Sequence, residues 1–294
     1  MDKVSDAVIL AGGIGSRMLP ASLYMPKETM PLVDTPILNH LVWEASRAGA
    51  SRIHIVVSER KKNILSDFFL NGSIHDAGVR SDLPRESLYL GAEGAEIIPH
   101  LQPSAGGVAD AIASAIDRID GPFLVLLGDM VILDRHLGPK YSGAEHASNA
   151  SFKLVSEFES NGLPCVGVCL VDPVEVSNYG VVELKDDMIV GIAEKPTESQ
   201  APSRHVLCGR YLLPARTKEI LEEYPLSTFG ELQSIQLLNH LIDNGGLKAV
   251  KLDQMKMYDS GDPVTWLKSQ VDHALNREDI GEDLAHWIRK RIDG

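Results

Sequence analysis

Short apolar runs alternate with segments of helical period through the first half of the chain. Ala7–Leu10 contains no polar residue and is soon followed by glycine, which predicts a buried strand. In Ile37–Arg47, Leu38, Leu41, Val42 and Ala45 share one face, the pattern of an amphipathic helix. The same reading predicts strands at Arg52–Val57, Glu96–His100 and Phe123–Leu127, with helices at Lys61–Phe69 and Val108–Ile116. Strands that are apolar throughout and separated by helices imply a parallel sheet covered on both faces. In such sheets ligands bind beyond the carboxyl ends of the strands.

Residues 71–94 interrupt this alternation with Asn71-Gly72-Ser73, Ser81-Asp82-Leu83-Pro84 and Gly91-Ala92-Glu93-Gly94, and are expected to form an insertion or flap. From Val166 onward the strands come closer together, at Val166–Val171, Gly180–Leu184, Ile189–Glu194 and Val206–Leu213, with a strand-like segment at Leu247–Leu252. This half should be more mixed and antiparallel. Helices are expected at Glu219–Glu223, Leu232–Ile242, Val264–Leu275 and Leu284–Ile292, the last two packing together at one end. No internal repeat or low-complexity segment occurs.

Composition narrows the class of protein. The chain of 294 residues can bury one substantial core, and 44% hydrophobic with 23% charged residues is ordinary for a soluble globular protein. A net charge of −13 argues against a nucleic-acid partner, because phosphate backbones demand a basic footprint. A local positive cluster could still take a small phosphorylated substrate. Cys165, Cys169 and Cys208 have no zinc-site spacing and read as buried reduced thiols. The amino terminus lacks the long apolar region of a signal peptide, and no apolar run reaches the roughly 20 residues of a membrane span. A cytoplasmic location without membrane contact is expected.

The most telling chemistry follows the first strand. Ala11-Gly12-Gly13-Ile14-Gly15 lets backbone N–H groups approach a phosphate closely. Arg17 follows at once, and Lys27 lies between Pro26 and Glu28. Backbone donors with two cations suit a nucleoside triphosphate. Two familiar phosphate loops are excluded: Met18 stands where a dinucleotide fingerprint needs its third glycine, and no Gly-Lys-Ser/Thr follows. No acidic residue directly ends the second strand at Val57, a further count against a dinucleotide-binding dehydrogenase.

Gly-Gly-x-Gly-x-Arg, then Pro26-Lys27 and Met30-Pro31-Leu32, resembles the sugar-1-phosphate nucleotidylyltransferases. Arg17-Met18-Leu19-Pro20-Ala21 and Pro26-Lys27-Glu28 look most like the bacterial uridylyltransferases of that family that act on UTP and glucose 1-phosphate. Further matches are Leu127-Gly128-Asp129 with Val131-Ile132-Leu133-Asp134, Tyr179-Gly180-Val181-Val182 and Gly191-Ile192-Ala193-Glu194-Lys195-Pro196. Gly209-Arg210-Tyr211 and Asp259-Ser260-Gly261 complete a resemblance that spans almost the whole chain. It implies an α/β fold with a Rossmann-like, mixed, mostly parallel central sheet flanked by helices, and a smaller β-rich subdomain on the sugar side. Residues 1–294 would be one domain, with a nucleotide-binding half to about 135, a sugar-binding half at 136–260 and C-terminal helices at 261–294. A homodimer or homotetramer is implied as well.

The implied reaction joins a sugar 1-phosphate to the α-phosphorus of a nucleoside triphosphate and releases pyrophosphate. Its nucleophile, a phosphate monoester with a second pKa of about 6, is already mostly dianionic at pH 7 and needs no general base. Cations, backbone donors and a metal suffice. The resemblance assigns catalysis to Arg17, Lys27 and Asp129, and Mg2+ binding to Asp129 and Asp259. Nucleotide binding falls to Ala11, Gly12, Gly13, Gly15, Gln102 and Gly107. Sugar-phosphate binding falls to Gly180, Glu194, Lys195 and Leu207. Gln102 would read a pyrimidine edge, since an amide offers both a donor and an acceptor.

Two segments depart from the uridylyltransferase pattern. Leu101 replaces an arginine, and Ala109-Asp110 replaces glycine and histidine. In Phe229–Gln236, Gly230 replaces an aspartate and Ile235-Gln236 a Thr-Asp pair. A thymidylyltransferase, or an enzyme for an unusual sugar phosphate or another nucleotide, therefore stays open. So does a non-catalytic regulatory homologue, although Arg17, Lys27, Asp129, Lys195 and Asp259 are all present.

Overall fold

The computed structural model describes residues 3–62, 81–84, 90–104, 106–229 and 233–292. Its centre is a nine-stranded sheet in the order β5-β4-β1-β6-β11-β8-β12-β10-β9. These strands are β1 (Asp6–Leu10), β4 (Arg52–Ser58), β5 (Glu96–Gln102), β6 (Phe123–Leu127), β8 (Cys165–Leu170), β9 (Gly180–Lys185), β10 (Met188–Glu194), β11 (His205–Leu213) and β12 (Leu247–Lys251). β2 (Pro31–Leu32) and β3 (Thr35–Pro36) pair as a small ribbon, as do β7 (Met130–Leu133) and β13 (Lys256–Asp259).

Both faces of the first strands are covered, which is why they read as unbroken apolar runs. Ile9, Ile53, Ile55, Leu124 and Leu126 pack against Leu38, Leu41 and Val42 of the helix Ile37–Arg47. On the opposite face Val8, Val56 and Val125 meet Ile112 and Ala115 of the helix Gly107–Ile116. β5, β4, β1 and β6 run parallel, with Ala7 opposite both Ile53 and Leu124. β12 also pairs in parallel with β8, whereas β11 pairs antiparallel with β6 and β8, and β10 with β9 and β12. The sheet is therefore mixed, and its continuous parallel stretch belongs to the first half. Antiparallel pairing comes with short connections: β9 and β10 form a hairpin through Asp186, at φ 56°.

A buried ion pair ties the layers together. Arg210 on β11 donates from Nε and Nη2 to the two carboxylate oxygens of Glu44, at 2.7 and 2.8 Å. Its Nη2 also donates to the carbonyl of Met130 at 3.0 Å, and Ser151 donates to Glu44 from the helix Ala150–Asn161.

Most expected elements are found within one or two residues of their predicted ends. The helix Ala150–Asn161 and the ribbon strands β7 and β13 were not expected. The predicted helix Lys61–Phe69 lies outside the described residues beyond 62, as does the flap apart from 81–84 and 90–94. Helices Pro263–Leu275 and Gly281–Ile292 pack on each other as expected. Among the described residues no helix is long and apolar enough to cross a membrane.

Candidate active site

The glycine-rich turn is held by the sheet at its start. Ala11 N–H still donates to Val56 O of β4 at 2.8 Å, and Gly128 N–H donates to Leu10 O at 3.0 Å. Past Ala11 the chain crosses directly against Gln102: a Cβ at Gly12 would lie 2.3 Å from Gln102 Oε1, so any larger residue must displace the Gln102 amide. Gly15 turns with φ 70°, the left-handed region where glycine carries no steric cost. Its carbonyl accepts from Ser22 Oγ at 2.8 Å.

Two cavities meet at the carboxyl ends of β1 and β6. The first, about 390 Å³, is lined by the turn Gly12–Ser16 with Lys27, Gln102, Gly107 and Asp129. The second, about 340 Å³, is lined by Arg17, Gly180, Glu194, Lys195, Leu207 and Asp259, again with Asp129. Val108 and Leu127 also line both, so Asp129 stands on their shared wall. Ala11 supplies no cavity surface; its carbonyl faces the other way and accepts from Lys61 Nζ at 2.9 Å. Arg17 lines the second cavity, on the Asp259 side, and not the glycine-turn cavity where Lys27 lies.

Charge is concentrated at the junction. Lys27 is ion-paired with Asp129. Burial disfavours its ammonium, but Asp129, Glu28 and Asp259 outweigh this and hold the Lys27 pKa above its ordinary value. Asp259 ends β13 directly opposite Met130, and Ser260 N–H donates to Asp129 O at 2.9 Å. The ribbon of β13 with β7 is what delivers Asp259 beside Asp129. Burial and the Asp129 charge push the Asp259 pKa up, against the Gly261 N–H, Arg17 and Lys27. Among the described residues no group of three or more His, Cys, Asp and Glu side chains is arranged to hold a metal.

Glu28 and Lys61 form a support that sequence reasoning missed. Lys61 Nζ donates to Glu28 Oε2 at 2.7 Å as well as to Ala11 O, so one ammonium ties the Pro-Lys-Glu segment to the glycine turn. Both side chains are buried, which pushes Glu28 up and Lys61 down in pKa despite their mutual attraction. Glu28 was visible in the Pro26-Lys27-Glu28 motif. Lys61, read only as a helix residue, carried no signal of burial.

Gln102 is 4% exposed. Its Nε2 donates to Asp110 Oδ2 at 2.7 Å and to Gly107 O at 3.3 Å. On the other side, Gly180 lies against Leu207 and Glu194: a Cβ there would come 3.1 Å from Leu207 Cδ1 and 3.2 Å from Glu194 Oε2. Lys195 adopts φ 45°, pinned by its N–H donating to Tyr179 O at 3.0 Å. A lysine in that region is strained, and its side chain lines the sugar-side cavity. Ser234 and Ile235, from the altered segment, line the same cavity. Gly230 and Glu231 lie outside the described residues.

Comparison with known proteins identifies the family. Residues 6–269 match the family described as Nucleotidyl transferase. UTP–glucose-1-phosphate uridylyltransferase 2 of Staphylococcus saprophyticus is 30% identical, over 99% of this chain and 99% of that protein. The Streptococcus pyogenes protein of the same name is also 30% identical, over 98% of this chain and 96% of its own length. Among solved structures, UDP-glucose pyrophosphorylase of Acinetobacter baumannii superposes with a TM-score of 0.81 at 28% identity, covering 98% of this chain and 99% of the other. A UTP-bound structure from the same organism gives 0.80 at 28% identity, covering 97% and 98%. With a family match over most of its length and relatives that align end to end, the chain belongs to the nucleotidyl transferase family.

Proposed function

We propose that this enzyme transfers the uridylyl group of UTP to glucose 1-phosphate, forming UDP-glucose and pyrophosphate. The observation that carries the reading is the position of Asp129, with Lys27 and Asp259 beside it, on the wall between a cavity bearing the glycine turn and one bearing Glu194 and Lys195. Two polyanions would meet there. The names of the aligned relatives supply the substrates.

In this reading the turn Gly12–Gly15 presents N–H groups to the triphosphate and Lys27 neutralises its charge. Lys195 and Arg17 hold the sugar phosphate, while Glu194 accepts sugar hydroxyls next to Gly180 and Leu207. The phosphate oxygen of the sugar attacks the α-phosphorus, the bond to the bridging oxygen breaks, and pyrophosphate leaves. Alignment and charge relief carry the rate.

Asp129 and Asp259 fit Mg2+. Both are hard oxygen donors, and burial together with the neighbouring Asp129 charge holds the Asp259 carboxyl above its ordinary pKa, a strain that a bound cation would relieve. Two protein carboxylates suit an ion that keeps several waters and completes its shell with substrate phosphates. When bound, the ion neutralises phosphate charge as the substrates approach. Lys27 would move from Asp129 onto phosphate.

One observation favours a second reading for the sugar. Ile235 lines the sugar-side cavity where the resemblance expects threonine, so a hydroxyl partner is replaced by an apolar wall. A sugar 1-phosphate lacking the matching hydroxyl would suit it better. A pyrophosphate-release screen of UTP, dTTP, CTP, ATP and GTP against a panel of sugar 1-phosphates tests both readings. UTP with glucose 1-phosphate should give the highest kcat/KM. A deoxysugar phosphate in first place supports the second reading, and no turnover with any pair refutes both.

A further inference from the structure

We propose that Asp110 sets base specificity by fixing the orientation of the Gln102 amide. The inference rests on the reading above that the glycine-turn cavity takes the nucleotide, with Gln102 at the pyrimidine edge as the resemblance implies.

A glutamine is ambiguous as a reader, because its amide can present either a carbonyl or an NH2 group to a ligand. Here the ambiguity is removed. Nε2 of Gln102 faces Asp110 Oδ2 at 2.7 Å and the Gly107 carbonyl at 3.3 Å. A carboxylate and a peptide carbonyl can only accept, so the nitrogen must point at them, and both amide protons are used. The opposite orientation would set oxygen against two oxygens. Oε1 therefore faces Gly12, on the wall of the cavity, and accepts no hydrogen bond among the described residues. Asp110 is itself fixed in the first turn of the helix Gly107–Ile116, where the helix dipole favours a negative side chain.

Gln102 thus reads as a pure acceptor. Uracil and thymine present N3–H, which Oε1 can accept. Cytosine presents a bare N3 lone pair at the same position and would face Oε1 with repulsion. The exocyclic oxygen at position 4 of uracil receives nothing from Gln102, because no amide proton is left for it. The selected feature is one imide N–H, and Asp110, which never touches the base, imposes it.

The experiment compares kcat/KM for UTP and CTP, by pyrophosphate release, in the wild type and in Asp110→Asn. The asparagine keeps the shape but can either donate to or accept from Gln102, which removes the shorter of the two constraints and leaves only the Gly107 carbonyl opposing a turned amide. The CTP/UTP ratio should rise about tenfold or more, the size of one hydrogen bond made or left unmade. A ratio cancels any loss of active enzyme. On the wild type, 3-methyl-UTP, which lacks the N–H, should be a poor substrate, while 4-thio-UTP, which keeps it, should be used nearly as well as UTP. An unchanged CTP/UTP ratio in active Asp110→Asn enzyme, or equal use of 3-methyl-UTP and UTP, overturns the proposal and leaves the transferase reading intact. A wild type that uses only purine triphosphates overturns the assignment of the base site, and this inference with it.

Discussion

Replacing Arg210 with methionine should destabilise the protein severely and slow it as well. Arg210 is completely buried and Glu44 is 1% exposed, so neither charge has water to fall back on. Glu44 holds the Arg210 guanidinium above its already high pKa against the burial that opposes it. In Arg210→Met the Glu44 carboxylate would keep the Ser151 donors but lose both guanidinium bonds. Removing one partner of a buried pair costs about 3–5 kcal/mol, because the other charge is left uncompensated. At roughly 2 °C per kcal/mol for a chain of this size, the melting temperature should fall by about 6–10 °C. The double variant Glu44→Gln/Arg210→Met removes both charges while its amide oxygen still accepts from Ser151, and should recover at least half of the loss. Urea denaturation of the four proteins of this cycle measures the coupling directly. The Met130 carbonyl also loses its donor, one residue beyond Asp129, so kcat should drop even where the variant is fully folded. A single-variant loss below about 1 kcal/mol, or a double variant no better than the single, refutes the argument.

Three further outcomes follow from the site and the core. Lys27→Met should lower kcat about 10²–10³-fold with the fold intact by circular dichroism, the usual effect of losing one preorganised charge donor, and a near-wild-type rate contradicts its role. Gly12→Ala places a methyl 2.3 Å from Gln102 Oε1, so the nucleotide KM should rise about tenfold or more, whereas an unchanged KM shows that the turn can move aside. The third concerns pH. His40 is buried with neither ring nitrogen partnered among the described residues, and burial with its neighbours His146 and His273 pushes its pKa well down. Burial, with His136, Arg277 and His146 beside it, pushes His273 down to about 3. Unfolded histidines bind protons near pH 6.5 while these do not, so stability is complete above that pH and is lost as pH falls below it. His40→Leu should flatten that loss, retaining at most about 2 kcal/mol more than the wild type at pH 5 relative to pH 7.5 in urea titrations, and an unaltered slope excludes His40 as a contributor.

Much of this protein was legible along the chain because the signals were local. Phe123–Leu127 and Ile37–Arg47 have the same ends in sequence and structure, since burial on both faces and on one face write different periods. Lys27, Asp129, Glu194 and Lys195 were picked out from short motifs, and all four line the paired cavities. Helix Ala150–Asn161 escaped notice, with Ser151 interrupting its apolar face and Asn149 at its start making no side-chain capping bond.

The sequence by itself determined most of the strands and helices of the central sheet, the glycine turn and the residue types able to handle phosphate, because each is written within a dozen neighbouring positions. Tertiary structure alone decided which of those residues meet. Asp259 reaches Asp129 only because Lys256–Asp259 pairs with Met130–Leu133, a partnership between segments too distant for any local pattern to encode. Lys61 becomes a support for Ala11 and Glu28 through burial, fifty and thirty-three positions along the chain from the groups it ties. Side-chain orientation depends on what lies opposite in three dimensions, and a linear sequence records a neighbour in space only when it is also a neighbour along the chain.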